Sequence, residues 1–375
     1  MQNYFGFLLA ILMAATSFPG DAMALPTSEA EITISPEQSN DFMNALPQVK
    51  GPVIVTASFE LRDINDLNDE AETFEFTGVL KLSWHDPRQA FNPAAEGVGE
   101  KMYQGHFQFN EIFTGWFPQV VLVNESGLYE KQGALLRVRP DGSMTLFETI
   151  NAVAKVDLDL RRYPLDSQRL EAVFEVLGFD SNEVVLRVGS GSDDGVLNLD
   201  QLIRMPQWYL TEINSSIGSR NTSLIGNGAA TSTSTFIVSM DMQRRSFFIF
   251  RLVLLPMMII VMLSWSVFWM DKSSLGDRLS ISFIGILTVV SYQILLGETL
   301  PRIAYFTLTN GFMNASFLIM CISVVVNLRV GNLDRRGLVE QGDRLDRLCR
   351  WIFPISYFGT LLVFLWMSFF FLPSL

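Results

Sequence analysis

Four apolar runs crowd the last third of the chain, at residues 247–269, 277–297, 303–328 and 351–372. Crossing a hydrocarbon core of ~30 Å takes about 20 helical residues, so each run is long enough to span a bilayer. Backbone inside lipid has to satisfy its own hydrogen bonds, which predicts four transmembrane helices for this part of the chain. The linker 329–350 carries Arg329, Arg335, Arg336, Arg344, Arg347 and Arg350, and Lys272 of the linker between the first two runs is followed by Arg278 at the start of the second. Between the second and third runs the only base is Arg302. Basic loops stay on the cytoplasmic side, so everything before the first helix is expected outside. The N-terminus agrees: an apolar run from Phe5 to Ala15 precedes Ala22-Met23-Ala24, which reads as a signal peptide over residues 1–24. A multi-pass protein of the cell (inner) membrane is predicted, with an extracytoplasmic N-terminal domain.

That domain differs sharply in charge from the helices. The first 243 residues hold 15 basic and 32 acidic side chains, against 12 and 7 in the remainder. So acidic a surface repels phosphate, which argues against a nucleic-acid partner. Both cysteines, Cys321 and Cys349, fall in the apolar part, and the histidines are only His85 and His106. No disulfide framework and no metal site are therefore expected. Residues 25–50 form a polar segment. From Gly51 to about residue 243, short alternating stretches read as strands: 53–61, 74–84, 116–123, 134–138, 144–150, 170–177, 184–188, 208–213 and 235–242. Turn-like clusters separate them, among them Asp63 to Asp69, Pro140-Asp141-Gly142 and the Gly/Ser/Thr-rich Gly218–Ser234, read as a long hairpin tip. Such a series predicts an antiparallel β-sandwich. Gly189 to Gly195 resembles a phosphate loop only in its glycines, since no strand-to-helix junction surrounds it, and no cofactor is expected.

The second apolar run carries a polar line. Ser280, Ile284, Leu287, Ser291, Ile294 and Glu298 follow one another by four, three, four, three and four, so all six share one helix face. Asp277 begins the run. Small hydroxyls alternating with apolar collars suit a watery path that closes by dewetting. A single such helix cannot enclose a path, so several copies around an axis are implied. The plainer alternative is that the serines bond back to their own helix backbone. Nothing at membrane depth resembles a catalytic set, so an enzyme is not expected. Asn310, Asn314 and Asn327 of the third run read as helix-to-helix glue.

At this point the residues resemble a known family. Arg161-Arg162-Tyr163-Pro164-Leu165-Asp166-Ser167-Gln168 is similar to the signature loop of the pentameric ligand-gated ion channels, the Cys-loop receptor superfamily, most closely its prokaryotic members. Val156 and Leu170 stand where animal members carry the loop cysteines. Further matches are Ala71-Glu72-Thr73-Phe74, Ser83-Trp84 with Asp86 and Arg88, Trp116-Phe117-Pro118, Leu255-Pro256 with Ser264-Trp265, and Leu300-Pro301-Arg302. The resemblance covers Gly51 to Leu372.

It implies a ten-strand extracellular sandwich over a four-helix bundle, as a homopentamer around a central pore lined by the second helix. Ile284, Leu287 and Ile294 would form the gate, Ser280 a narrow polar ring, and Asp277 and Glu298 the inner and outer carboxylate rings. These favour permeant monovalent cations, although Arg278 stands beside Asp277 and is placed to pair with it. Asp69, Asp166 and Arg244, with Pro301 and Arg302 in the following linker, would couple the domains. Trp116, Phe117, Phe174, Phe179 and Phe236 are candidates for an aromatic site holding a small-molecule agonist. Protons are the other candidate stimulus. The alternative function is a membrane-tethered sensor module that does not conduct.

Overall fold

A computed structural model of the chain describes residues 44–189, 205–222, 231–270, 275–297, 300 and 304–370. The expected signal peptide and most of the polar segment 25–50 lie outside the described residues, as do Glu298, Pro301, Arg302 and most of the glycine-rich loop 189–195.

Among the described residues, ten strands form two sheets. The larger has the order β3 (Lys101–Gln104), β5 (Glu125–Val138), β6 (Ser143–Lys155), β2 (Thr73–His85), β1 (Val53–Asn68) and β8 (Val184–Val188). The smaller runs β4 (Val120–Leu122), β7 (Ser167–Val176), β10 (Thr231–Arg244) and β9 (Trp208–Thr222). All pairings are antiparallel except β1 with β8. Strict alternation explains the layering. In β2 every second residue from Phe74 to Trp84 is inward and buried, and β6 alternates likewise from Met144 to Ala154. Phe74, Phe76, Leu80, Leu82, Leu136 and Leu146 thus meet in one core, each worth ~1.5–3 kcal/mol of burial. Val156 and Leu170, at the family's cysteine positions, are buried too.

Motif residues have local tasks. Buried Asp86 caps a short turn by accepting from the Arg88 backbone N–H at 3.1 Å and pairs with the Arg88 guanidinium at 2.8 and 2.9 Å. Arg88 also donates to the Ala45 carbonyl at 2.9 Å, tying the start of the described chain to the sandwich. Gly142 has φ of +83°, and a Cβ there would stand 2.5 Å from the Asp86 carbonyl oxygen, so only glycine fits this turn.

Two strand boundaries correct the sequence reading. The Asn/Asp-rich stretch expected as a turn continues β1 to Asn68, because β2 offers it partners as far as Asn68↔Thr73. The expected hairpin tip is shorter as well: Gly218–Thr222 pair with Thr231–Thr235. Threonine and serine on paired strands need no apolar signal to be β.

Among the described residues, four helices long and apolar enough to cross a membrane follow. We label them α1 (Phe247–Trp269), α2 (Leu275–Leu296), α3 (Leu308–Arg335) and α4 (Val339–Phe370). Pro256 lacks the N–H that would bond the Leu252 carbonyl, and α1 is π-wound over Phe250–Leu254. The Tyr292 hydroxyl of α2 donates to that carbonyl, which fastens α2 to α1. Gly285 lets the helices approach closely, since a Cβ there would lie 2.3 Å from the Ser264 hydroxyl of α1 and 2.7 Å from Met320 of α3.

The ends of α3 and α4 are a further correction. The linker expected at 329–350 is nearly all helix, and the break is a short turn around Gly337, at φ of +77°. Buried Val330, Asp346 and Cys349 keep both helices packed beyond the apolar window. The third helix starts at Leu308 rather than 303, capped by the Thr307 hydroxyl accepting from Asn310 N–H at 3.1 Å.

Candidate functional site

The structure sets out three places where the expected residues gather. The first is the face of α2. Arg278, Ser282, Gly285, Val289 and Leu296 are buried against the bundle. Asp277, Ser280, Ile284, Leu287, Ser291 and Ile294 lie on the other side, uncovered. Ile284, Leu287 and Ile294 are 62%, 67% and 70% exposed, an apolar display one subunit does not cover. Phe283 and Leu295 flank that line and are also exposed. Back-bonding to the helix does occur, at Ser282 to the Arg278 carbonyl (3.0 Å) and at Thr288 to the Ile284 carbonyl (2.8 Å). Arg278 turns inward and binds Asp346 of α4, with Nη2 and Nη1 at 2.8 and 3.0 Å from its two oxygens, which corrects the expectation that it serves Asp277. Asn327 of α3 accepts from Arg278 at 3.2 Å and donates to Ser282 at 2.9 Å, the glue expected of it.

The second place is where the sandwich meets the helices. Arg244 ends β10, and its buried guanidinium holds both expected acids. Nε lies 2.9 Å and Nη2 3.2 Å from Asp166, while Nη1 and Nη2 lie 2.9 and 3.0 Å from Asp69. Asp69 is presented by the β1–β2 turn, where the Asn68 side chain accepts from the Glu70 and Ala71 N–H groups. Asp166 also accepts from Gln168 at 2.7 Å. The guanidinium lies over the rings of Trp208 and Tyr163, 4.1 and 4.7 Å from their centroids. Burial works against its charge, yet Asp166 and Asp69 outweigh that and hold its pKa above the usual arginine value. Burial likewise pushes the Tyr163 hydroxyl up to about 12, so the ring stays neutral.

The signature loop touches the helices through its carbonyls. Leu308 N–H donates to Arg161 O at 3.0 Å, the Thr309 hydroxyl to Tyr163 O at 2.9 Å, and the Ser246 hydroxyl to Pro164 O at 2.6 Å. The Tyr305 hydroxyl accepts from Leu160 N–H at 2.9 Å and donates to Leu158 O at 3.0 Å. Sequence reasoning missed Trp208, Tyr305, Thr309 and Ser246. A lone tyrosine in the Leu300–Leu308 linker was the available signal.

Asp159 of this loop is held below the ordinary aspartate value, first by the hydrogen bond from Arg161 Nε at 2.8 Å. A depressed folded pKa stabilises above the unfolded value near 3.9 and is lost as pH falls through the folded value. The thermal midpoint gap between the wild type and Asp159→Asn should therefore stay constant from pH 7 to about 5 and narrow only below about 4. A gap that closes already at pH 6 would contradict this.

The third place is a pocket of about 300 Å³ on the sandwich, lined by Trp116, Phe117 and Phe179 with Asn44, Gly115, Gln119 and Leu177. Trp116 stands edge-on to Phe179 at 5.9 Å. Phe174 and Phe236, expected in the same site, are instead core residues, paired across β7 and β10 and fully enclosed. Their strand positions point inward, toward Phe59, and leave a ligand no access.

Known proteins are similar to this chain in sequence. The profile described as neurotransmitter-gated ion-channel ligand binding domain matches residues 40–246, and that described as neurotransmitter-gated ion-channel transmembrane region matches 253–341. A proton-gated ion channel of Gloeobacter violaceus is 26% identical over 340 residues, 89% of either chain. The human gamma-aminobutyric acid receptor subunit rho-3 is 23% identical over 83% of this chain, which spans 65% of that subunit's length. Human subunit rho-2 is 23% identical over 82% of this chain and 63% of its own. Sandwich, membrane helices and matched profiles together show that this is no enzyme and that the chain belongs to the family of neurotransmitter-gated ion channels.

Proposed function

We propose that five copies of the chain surround a cation-selective pore lined by α2, and that a stimulus acting on the sandwiches opens it. The observation that carries this reading is the uncovered line Asp277–Ser280–Ile284–Leu287–Ser291–Ile294, opposite a face fully packed in its own subunit. Self-association about an axis covers such a display and leaves the hydroxyls and the carboxylate facing water. Ile284, Leu287 and Ile294 form the dewetting gate. Asp277 at the inner mouth, with Glu298 at the outer one, draws cations. Arg244 with Asp69 and Asp166 relays the sandwich's movement, and the linker holding Pro301 and Arg302 passes it to α2.

The pocket of Trp116, Phe117 and Phe179 is the agonist site this reading favours. The proton-gated relative supports protons as a second kind of stimulus. The test is current from the full chain in a planar bilayer, with pH steps and then small amines and carboxylates, in a salt gradient. Gated current reversing near the cation equilibrium potential is expected. Reversal near the anion potential would overturn the selectivity, and silence would favour the non-conducting sensor.

A further inference from the structure

Neighbouring residues on a helix point about 100° apart, and at the foot of α2 this separates two opposite charges. Asp277 falls with Ser280 and Ile284 on the uncovered line, while Arg278 falls with Ser282, Gly285 and Val289 on the packed face. A charge buried there is costly unless paired, and both partners are enclosed: Arg278 is 2% and Asp346 3% exposed. Their bond is two-pronged, at 2.8 and 3.0 Å. Asn327 and Ser282 extend the network at 3.2 and 2.9 Å, while Arg278 Nε is buried without a hydrogen-bond partner. Asp334 and Arg335 of α3 border a small cavity beside Arg278 and carry opposite formal charges.

From this geometry we infer that Asp346 of α4 is a positioning residue for ion selectivity: it holds the Arg278 cation off the pore line and cancels it. The inference rests on α2 lining the pore. An arginine cannot remain dry and unpaired, so without Asp346 its long arm swings toward water, which in the proposed assembly the inner mouth supplies at the foot of α2. Repeated around the axis, the released cations repel permeant cations there. The repulsion is strongest at low salt, where screening reaches beyond ~10 Å.

The experiment measures the cation-to-anion permeability ratio, from reversal potentials in a salt gradient, for the full-length wild type, Asp346→Asn and the double variant Arg278→Gln/Asp346→Asn. The ratio should fall about tenfold in Asp346→Asn, the factor that ~1.4 kcal/mol supplies, and return to the wild-type value in the double variant. A purely structural role would change expression and stimulus sensitivity but not the ratio. An Asp346→Asn channel that conducts with the wild-type ratio overturns the inference. Should that variant give no current, Arg278→Gln reads the effect in reverse. Its cation conductance at low ionic strength should exceed the wild type's, and an unchanged conductance overturns the inference too. A wild type that is anion-selective or silent instead overturns the pore reading itself, before any variant is compared.

Discussion

Arg244→Gln should abolish stimulus-evoked current and lower the thermal stability of the protein. The substitution leaves Asp166, 1% exposed, without its cation and deprives Asp69 of its partner. Breaking a buried ion pair from one side costs ~3–5 kcal/mol, because the remaining charge is uncompensated. The stacking on Trp208 and Tyr163 is lost as well, worth ~0.5–2 kcal/mol. Arg244→Lys separates a relay from a simple tie. It keeps the charge but can neither fork to two carboxylates nor stack a planar group on the two rings. A channel of near-normal stability that needs a much stronger stimulus is expected from it. Evoked currents and melting curves on the same preparations check both variants. Wild-type currents from Arg244→Gln would remove this cluster from the gating path.

Leu287→Ser should leave the channel conducting without stimulus. Leu287 sits mid-line on α2, between Ile284 and Ser291, and is 67% exposed in the single chain. In the proposed assembly its copies close the path by excluding water, each removing apolar surface worth ~1.5–3 kcal/mol. Hydroxyls at that level admit water and take most of that stabilisation from the closed state alone. The open population rises, and with it the sensitivity to whatever opens the channel, by about tenfold or more for each ~1.4 kcal/mol lost. Resting current before any stimulus and the half-activating dose are the measurements. If neither moves, Leu287 is not at the gate.

Much of this layout was legible in residue order. The four apolar windows located four helices, since lipid thickness sets a minimum run of apolar side chains. Period-two alternation located most strands. Boundaries were less legible wherever polar residues continue a regular element. Helices α3 and α4 run through an arginine-rich stretch because hydropathy marks the membrane, whereas the hydrogen-bond ladder carries on in water. The candidate site divides in the same way. Spacing alone put Ser280, Ile284, Leu287, Ser291 and Ile294 on one face, because the helical period is fixed by backbone geometry. Resemblance singled out Asp69, Asp166 and Arg244, whose contact spans 78 and 175 residues of chain. The aromatic candidates did worst. Inward and outward phenylalanines look alike in sequence, and only the packing of the two sheets, which sets Phe59 of β1 against Phe174, consigned Phe174 and Phe236 to the core.

By itself, then, the sequence determined what short-range rules govern: the membrane windows, the strand alternation, the polar line of α2 and the signature loop. Tertiary structure alone decided which buried charges meet. Arg278 found Asp346, 68 residues away, rather than its neighbour Asp277. Arg244 found two rings as well as two acids. The physical reason is desolvation: a charge that folding removes from water must take its partner from whatever the fold brings within reach, and chain order does not encode that distance.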